Sequence, residues 1–451
     1  MQTSSPNPTD AVAAESASLA RWAPWWVLAC VALWPWPGIA AGALALGAIV
    51  TVVWLGMRQF SGGDALLSRE GWALTTALFF SYWLPELLSC PDAINPLHSL
   101  KEVLVDLRFL PSLWLGAIAV HRARDRRIVY VGIAVIALVW ALDGLLQATT
   151  GWSIGGVASA DRISGIFGAK HPRLGQVLAS LAAFPLGIAA QRAGAIGWLV
   201  AALLVGAAIL LAGSRAAWLT FALVLLFGGW RLLGWKRLLG VFFAGAISLV
   251  VLATIVPRDL HERIERTEAV FSGDAAGVDR ALSGRLRIWE AAACMIGGHP
   301  VNGVGVRGYR DAYAGCAPQQ FGPPAWGVGG ALHAHQIVLE ILSETGALGL
   351  LLWSIGAALA IRAWRWATPM ARARASIPAI ALAVTVFPFN THLAFYSSFW
   401  GGLTLLLTAL YAGALFGEDA APGGAQPAGA QPVGAQSVAA SFGVSRTAEP
   451  K

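Results

Sequence analysis

The sequence predicts an all-α polytopic membrane protein with about twelve transmembrane helices, and composition is the first reason. Hydrophobic residues make up 57% of the 451 residues, charged residues make up only 12%, and the mean hydropathy is +0.64. A soluble domain usually carries about 25% charged residues. Polar surface this scarce could not cover a water-soluble core of this size. Lipid must therefore surround most of the chain, which excludes soluble enzymes, disordered regulators and secreted disulfide scaffolds.

Apolar stretches long enough to cross a bilayer are the second reason. A spanning helix needs about 20 mostly apolar residues. The predicted spans are 22–37, 38–57, 71–90, 106–120, 128–147, 174–191, 194–213, 216–230, 238–256, 345–363, 375–392 and 398–416. The segment Trp34-Pro35-Trp36-Pro37-Gly38 separates the first two, so these two spans can be short or re-entrant.

The distribution of arginines predicts the orientation. If twelve helices alternate in direction, five basic connections lie on one side, which the positive-inside rule makes cytoplasmic. They contain Arg58 and Arg69, residues 122–127, Arg192, residues 231–237 and residues 362–374. The net charge of +7 then reflects cationic loops and contact with membrane lipids, not nucleic acid.

Both termini are then cytoplasmic. Residues 1–21 are expected to form an N-terminal tail, and residues 417–451 a tail with a five-residue Gly-Ala-Gln repeat. Such a repeat cannot bury a core, so the second tail is predicted to be disordered.

Three segments lie on the opposite, outer side: 91–105, 148–173 and about 257–333. Unstructured loops as long as the third are uncommon, which favours a folded functional element there. Apolar residues at helical spacing predict two helices in this third segment. The first carries Leu260, Ile264 and Phe271, and the second runs from Ser283 to Ile296 with Leu286, Trp289, Ala293 and Ile296 on one face. Cys294 and Cys316 can pair in an oxidising compartment or remain free thiols, and no cysteine spacing fits a zinc site.

Several cations on the outer side could bind an anion. Arg215 lies between two spans, where charge is costly unless it is paired, functional or extended to the headgroups. Arg162, Lys170, Arg173 and Arg285 lie on the same predicted side. Fixed cations without matching carboxylates suit phosphate or pyrophosphate. The acidic residues of the long loop alternate with arginines, so no metal site made of oxygen ligands is predicted.

His335, in His333-Ala334-His335-Gln336, precedes a predicted helix. Histidine changes protonation near neutral pH and is therefore a candidate general base. The alternatives are an ordinary surface histidine, or a metal pair with His333 that would lack a third ligand.

These residues also carry a family resemblance, over about residues 22–416. His335-Gln336-x-x-Leu339-Glu340-x-x-x-Glu344-x-Gly346-x-x-Gly349-Leu350 resembles the His-Asn-x-x-Leu…Glu-x-Gly-x-x-Gly signature of the bacterial O-antigen ligases. Gln336 replaces the usual Asn. The same superfamily includes O-antigen polymerases and pilin-type oligosaccharyltransferases. Further matches are Ser283-Gly284-Arg285-x-x-x-Trp289, His299-Pro300-x-x-Gly303-x-Gly305, Gly213-Ser214-Arg215 and Arg162-x-x-Gly165.

The resemblance implies a GT-C-type glycosyltransferase of the bacterial inner membrane with its catalytic elements in a periplasmic loop, residues 257–344. It would transfer polysaccharide from an undecaprenyl-pyrophosphate donor to a sugar hydroxyl of the lipid A–core acceptor, with inversion and without a metal or cofactor, completing lipopolysaccharide. A polymerase or a protein O-oligosaccharyltransferase using the same donor is the alternative. A membrane transporter is a further alternative of another class, although Glu86 and Asp143 lie near the outer span ends and not at mid-membrane, where a transporter needs them.

The expected roles follow from the same reasoning. His335 is the predicted general base. Arg215 and Arg285 are predicted to hold the donor pyrophosphate, with Arg162 and Lys170 as weaker candidates. The expected orienting residues are His333, Glu340 and Glu344. The two glutamates are also alternative candidates for the general base.

Overall fold

The computed structural model describes residues 8–59, 66–157, 162–170, 172–240, 284–318, 331–391 and 394–419, together with residues 242, 243, 245 and 247. This part of the chain is built mainly from helices. They are α1 (Pro8–Ala32), α2 (Pro37–Gln59), α3 (Arg69–Ser89), α4 (Pro96–Asp106), α5 (Phe109–His121), α6 (Ala123–Thr150), α7 (Leu174–Leu181), α8 (Ala183–Leu211), α9 (Arg215–Leu233), α10 (Arg285–Gly298), α11 (Tyr309–Cys316), α12 (Ile337–Trp366), α13 (Pro369–Thr385) and α14 (Trp400–Leu415).

A short antiparallel hairpin and a 3₁₀ turn join α6 to α7. Strands β1 (Trp152–Ser153) and β2 (Gly156–Val157) form the hairpin, and the turn covers Gly165–Phe167. Residues up to Glu418 form one compact unit. Residues 420–451 of the predicted C-terminal tail lie outside the described residues. The predicted helix with Leu260, Ile264 and Phe271 also lies outside them.

Five helices of the described part are long and apolar enough to cross a membrane. They are Pro37–Met57, Pro96–His121 (α4 and α5 counted together), Ala123–Thr150, Ala183–Leu211 and Ile337–Trp366. The chain is therefore a mostly helical polytopic membrane protein, as predicted. The number twelve stays a prediction, and the predicted span 238–256 lies almost wholly outside the described residues.

Helix boundaries differ from the predicted spans at three places. Helix α1 begins at Pro8, well before residue 22. The predicted span 174–191 is interrupted at Ala182, where α7 ends and α8 begins, whereas the predicted boundary between spans 174–191 and 194–213 is confirmed by non-helical backbone at Ala193 and Gly194, whose φ is 58°. Helix α12 begins at Ile337, not at residue 345, and breaks at Gly346.

Helix α14 lies at the centre of the bundle, with every residue from Trp400 to Leu415 buried. Small residues allow α5 to approach it closely. A side chain at Gly413 would collide with the backbone of Ala117, and one at Gly116 would meet Ala409. Close backbone approach through small residues is typical of helix packing in lipid, where dispersion contacts replace the hydrophobic effect as the driving force.

Three of the predicted basic connections meet at one end of this bundle. Arg126 donates a hydrogen bond to the carbonyl of Glu418 at 3.1 Å, and Arg374 donates to two carbonyls at the end of α14 at 2.8 and 3.0 Å. The guanidinium of Arg231 lies 6.0 Å from the ring centroid of Trp364. Helix α14 runs from this basic end back to its start at Trp400, and the N–H of Ile337 donates to the carbonyl of Asn390 in the connection that precedes α14, so the segment around His335 lies at the opposite end.

Candidate active site

The site is built around the break in α12 at Gly346, where φ is 67° and ψ is −166°. A break leaves backbone donors and acceptors without helical partners, and such groups need other hydrogen-bond partners when they are buried. Residues 300–305 provide them through four hydrogen bonds of 2.8–3.0 Å. The bonds run from Ala347 N to Pro300 O, from Leu348 N to Val301 O, from Val304 N to Ser343 O and from Gly305 N to Glu344 O. The His299-Pro300-x-x-Gly303-x-Gly305 and Glu344-x-Gly346 motifs therefore form one structural unit.

Only glycine fits at this junction. A Cβ atom at Gly346 would collide with the backbone of Val301, and one at Gly303 would collide with the backbone of Glu344. Both glycines also have positive φ, which other residues adopt at a cost.

The outer segment between α3 and α4 supports the same loop from the other side. The backbone N–H of Ile94 donates to the carbonyl of Val304 at 3.0 Å. The N–H of Val306 donates to the hydroxyl of Ser89, and the hydroxyl of Ser99 donates to the carbonyl of Val306, both at 2.9 Å. Two of the three outer segments predicted from the sequence thus contact each other.

Helices α10 and α11 are joined covalently. Cys294 and Cys316 form a disulfide with Cα atoms 5.7 Å apart, which decides between the two alternatives left open by the sequence. The hydroxyl of Tyr309 also donates to the carbonyl of Ile288 at 2.6 Å. This pairing fixes the position of Arg285, the first residue of α10, relative to α11.

The buried face of α10 differs from the predicted one. The helix buries Ile288, Ala291, Ala292 and Met295, whereas the predicted face of Leu286, Trp289, Ala293 and Ile296 is half-buried or exposed. The reason is that two adjacent alanines let α10 pack closely on its neighbours, so the small residues turn inward and the tryptophan lies at the margin.

His333 and His335 form a pair immediately before α12. Their ring centroids are 3.9 Å apart, and His335 has a positive φ of 52°. Gln336 anchors the pair: its side-chain oxygen accepts from the N–H of Leu339 at 2.5 Å, and its amide nitrogen donates to the carbonyl of Pro388 at 2.7 Å. The connection between α13 and α14 therefore fixes the histidine segment, and Gln336 caps the first turn of α12.

Both imidazoles are kept neutral. Burial, and then the nearby charge of Arg285, lower the pKa of His335 from 6.5 to about 4. Burial lowers the pKa of His333 well below its usual value, and the neighbouring His335, Arg307, Arg310 and Arg173 lower it further. Neutral His335 can accept a proton at physiological pH.

Arginines surround the pair. Arg285 donates from Nη1 to the hydroxyl of Thr391 at 3.2 Å. Burial, followed by the charge of Arg215, lowers the pKa of Arg285, so these two arginines face the same region. Arg173 lies over the ring of Phe399, with 4.3 Å from its guanidinium carbon to the centroid. Among the described residues, no carboxylate lies within 4.0 Å of the guanidinium nitrogens of Arg173, Arg285, Arg307 or Arg310.

The structure thus brings together Arg215, Arg285, His333 and His335 from the predicted set. Arg162 and Lys170 are exposed, and the electrostatic neighbours of His335, His333 and Arg285 do not include them. His171 lies outside the described residues. In this part of the chain no three His, Cys, Asp or Glu side chains are grouped so that they could hold a metal ion.

Glu340 and Glu344 are fully buried inside α12. Glu344 accepts from the backbone N–H of Arg307 at 2.8 Å, and Glu340 from that of Tyr396 at 3.4 Å. These contacts fit the expected orienting role. Arg307 and Arg310 were not singled out from the sequence; the Gly303-x-Gly305 turn immediately before them was the available signal.

These features define a class: a polytopic helical membrane protein with a basic end and, at the other end, a cluster of arginines around a neutral histidine pair. Residues 200–354 match the family model described as O-antigen ligase. This segment is similar to that family, which confirms the resemblance drawn from the motifs. It contains Arg215, Arg285 and His335. The chain matches no curated protein. The family match supports a function of the O-antigen ligase or polymerase type.

Proposed function

We propose that this protein is an O-antigen ligase. It transfers polysaccharide from an undecaprenyl-pyrophosphate donor to a hydroxyl of the lipid A–core acceptor, at the periplasmic face of the bacterial inner membrane. The observation that carries the proposal is the position of neutral His335 beside Arg285, an arginine without a carboxylate partner among the described residues. A general base beside an unneutralised cation is what attack on a pyrophosphate-activated sugar needs.

Arg285 and Arg215 are assigned to the donor. As the bond from the anomeric carbon to the pyrophosphate breaks, its electron pair moves to the leaving phosphate oxygen. Fixed guanidinium groups stabilise that charge through bidentate hydrogen bonds. Thr391 holds Arg285 in place through the 3.2 Å contact, so this cation needs little reorganisation. The arginines supply the neutralising charge that a divalent ion supplies elsewhere.

His335 is assigned to the acceptor. The imidazole takes the proton of the acceptor hydroxyl while the oxygen forms its bond to the anomeric carbon. Attack from the side opposite the pyrophosphate inverts the anomeric configuration. Glu340 and Glu344 remain competitors for the base, but each accepts a backbone N–H inside α12, which favours a supporting role.

Deletion of the gene tests the proposal. A ligase mutant should make lipopolysaccharide without long O-chains while the lipid-linked polymer accumulates. Loss of chain length with capping by single repeats would instead identify a polymerase. Unchanged lipopolysaccharide with altered protein glycosylation would favour a protein O-oligosaccharyltransferase.

A further inference from the structure

We infer that Arg307 and Arg310 form a second anion-binding subsite, on the His333 side of the histidine pair, which binds a phosphate or carboxylate group of the acceptor glycan. The inference rests on the proposed function, because it assigns this subsite to the acceptor and not to the donor.

The cations divide between the two ends of the histidine pair. Arg285 is the charged neighbour of His335, whereas Arg307, Arg310 and Arg173 are charged neighbours of His333. The two imidazole ring centroids are 3.9 Å apart. Two sets of cations flanking one base can hold two different anions.

Arg307 and Arg310 are also fixed in position. Arg307 has a positive φ of 59°, a conformation that is unfavourable for a non-glycine residue and persists only where the surroundings enforce it. Its N–H is bound by Glu344, and the preceding Val306 is held by Ser89 and Ser99. Arg310 lies in the first turn of α11, which the disulfide ties to α10.

Neither guanidinium has the partner that such burial calls for. Both side chains are half-buried, and no described carboxylate lies within 4.0 Å of either one. Glu344, Asp311 and Glu102 act on Arg310 at longer range, and Glu344, Glu340 and Asp106 are the acids that Arg307 acts on in the same way. The Nε atom of Arg310 and the Nε2 atom of His333 are both buried without a hydrogen-bond partner. Buried polar atoms without partners are costly, and a bound oxyanion would accept a hydrogen bond from Arg310 Nε and, in the tautomer protonated at Nε2, from His333.

The stereochemistry assigns this oxyanion to the acceptor. The attacking hydroxyl must approach the anomeric carbon from the side away from the pyrophosphate, and His335 must touch that hydroxyl. With Arg215 and Arg285 holding the pyrophosphate, the acceptor lies toward His333. Arg307 and Arg310 are then the cations that it meets.

Binding and transfer assays with matched acceptors test the subsite. The detergent-purified full chain is given lipid A–core acceptor in three forms: native, dephosphorylated with hydrofluoric acid, and carboxyl-reduced. Acceptor binding is measured without donor by microscale thermophoresis, and KM for each substrate is measured in the transfer assay. The variants are Arg307→Gln, Arg310→Gln and Arg310→Lys. Arg285→Gln is the donor-side comparison, and Arg127→Gln at the basic end is the charge-matched control.

We expect Arg307→Gln and Arg310→Gln to raise Kd and KM for the native acceptor roughly ten- to hundredfold, as loss of one charge-assisted contact predicts. Their donor KM should stay at the parent value, and Arg310→Lys should retain acceptor binding within several-fold. Parent and glutamine variants should bind the anion-stripped acceptor equally weakly; whether dephosphorylation or carboxyl reduction abolishes the difference identifies the anion. Arg285→Gln should raise the donor KM alone.

Two results would overturn the inference. One is a raised donor KM in Arg310→Gln with unchanged acceptor binding, which would place all the arginines on the pyrophosphate. The other is an equal loss of binding for native and anion-stripped acceptors. A parent protein that binds the acceptor but transfers nothing would contradict the proposed function, while the binding comparison would still decide the subsite.

Discussion

At the scale of single residues, the protonation state of His335 decides whether it can act as a base. A histidine with an ordinary pKa of 6.5 is half protonated at that pH, whereas His335, with its pKa lowered to about 4, stays neutral well below it. Because protonated His335 cannot accept a proton, transfer activity is lost as the pH falls through the pKa of His335 in the folded protein.

The pH profile of transfer therefore provides a prediction. With both substrates saturating, the rate should be nearly constant from about pH 8 down to about pH 5.5, with the acid limb lying near pH 4. Removing the positive charge in Arg285→Gln should move that limb to higher pH, because this charge lowers the pKa of His335. A parent profile with its acid limb at pH 6.5 would show that His335 is not the base or is not desolvated.

Substitution of the three candidate bases provides a second prediction. His335→Ala should lose about 10²–10⁴-fold in transfer rate, the usual contribution of a general base, while its KM for the donor stays near the parent value. Glu340→Gln and Glu344→Gln keep the side-chain shape and one hydrogen-bond acceptor, so they should lose less. A nearly unchanged His335→Ala beside an inactive glutamate variant would reverse the assignment.

The geometry of the donor arginine provides a third prediction. Arg285→Lys keeps the charge but loses the bidentate fork and the contact with Thr391, so the donor KM should rise roughly ten- to hundredfold. Thr391→Val removes only the hydroxyl and should raise the donor KM less. Thr391→Ser keeps a hydroxyl and should have a donor KM close to the parent value. Full activity in Arg285→Ala, at normal expression, would remove Arg285 from the site.

At the scale of helices and loops, the sequence predicts apolar helices and the break at residues 193–194 well, but it does not predict the break in α12. The apolar stretches anticipate α2, α6 and the end of α8, and the family motifs anticipate His335, Arg285 and Arg215. The break at Gly346 could not be predicted, because it is stabilised by hydrogen bonds from residues 300–305, more than forty positions earlier. Long-range contacts also decide which cations lie near the histidines. The predicted side of the membrane does not distinguish Arg162 and Lys170 from Arg173, and the alternating charges of the long loop do not distinguish Arg307.

The junction at Gly346 provides a fourth prediction. Gly346→Ala would place a methyl group against the backbone of Val301 at a positive φ, so it should separate the 300–305 loop from α12. We expect lower thermal stability of the purified protein and loss of transfer activity. Gly297→Ala, at a helical glycine with open space around it, is the matched control and should behave like the parent. Equal Tm values for the two variants would contradict the role given to the junction.

At the scale of the whole molecule, charge is segregated between the two ends of the bundle. The basic connections at 122–127, 231–237 and 362–374 meet at one end through contacts of Arg126, Arg374 and Arg231. The histidine pair and its arginines lie at the other end. The positive-inside rule makes the first end cytoplasmic, so the anion-binding end would face the periplasm, where a lipid-linked donor and a lipid-anchored acceptor can meet.

Cysteine labelling tests this orientation, in a background where the free thiols Cys30 and Cys90 are replaced and the Cys294–Cys316 disulfide is kept. Ala169→Cys, at an exposed position of the site end, should react with a membrane-impermeant maleimide in cells whose outer membrane is permeabilised. Ala123→Cys, between two arginines of the basic end, should react only after the inner membrane is also opened. The reverse pattern would place the histidine pair in the cytoplasm. No periplasmic acceptor could then reach it, and the ligase proposal would fail together with the orientation.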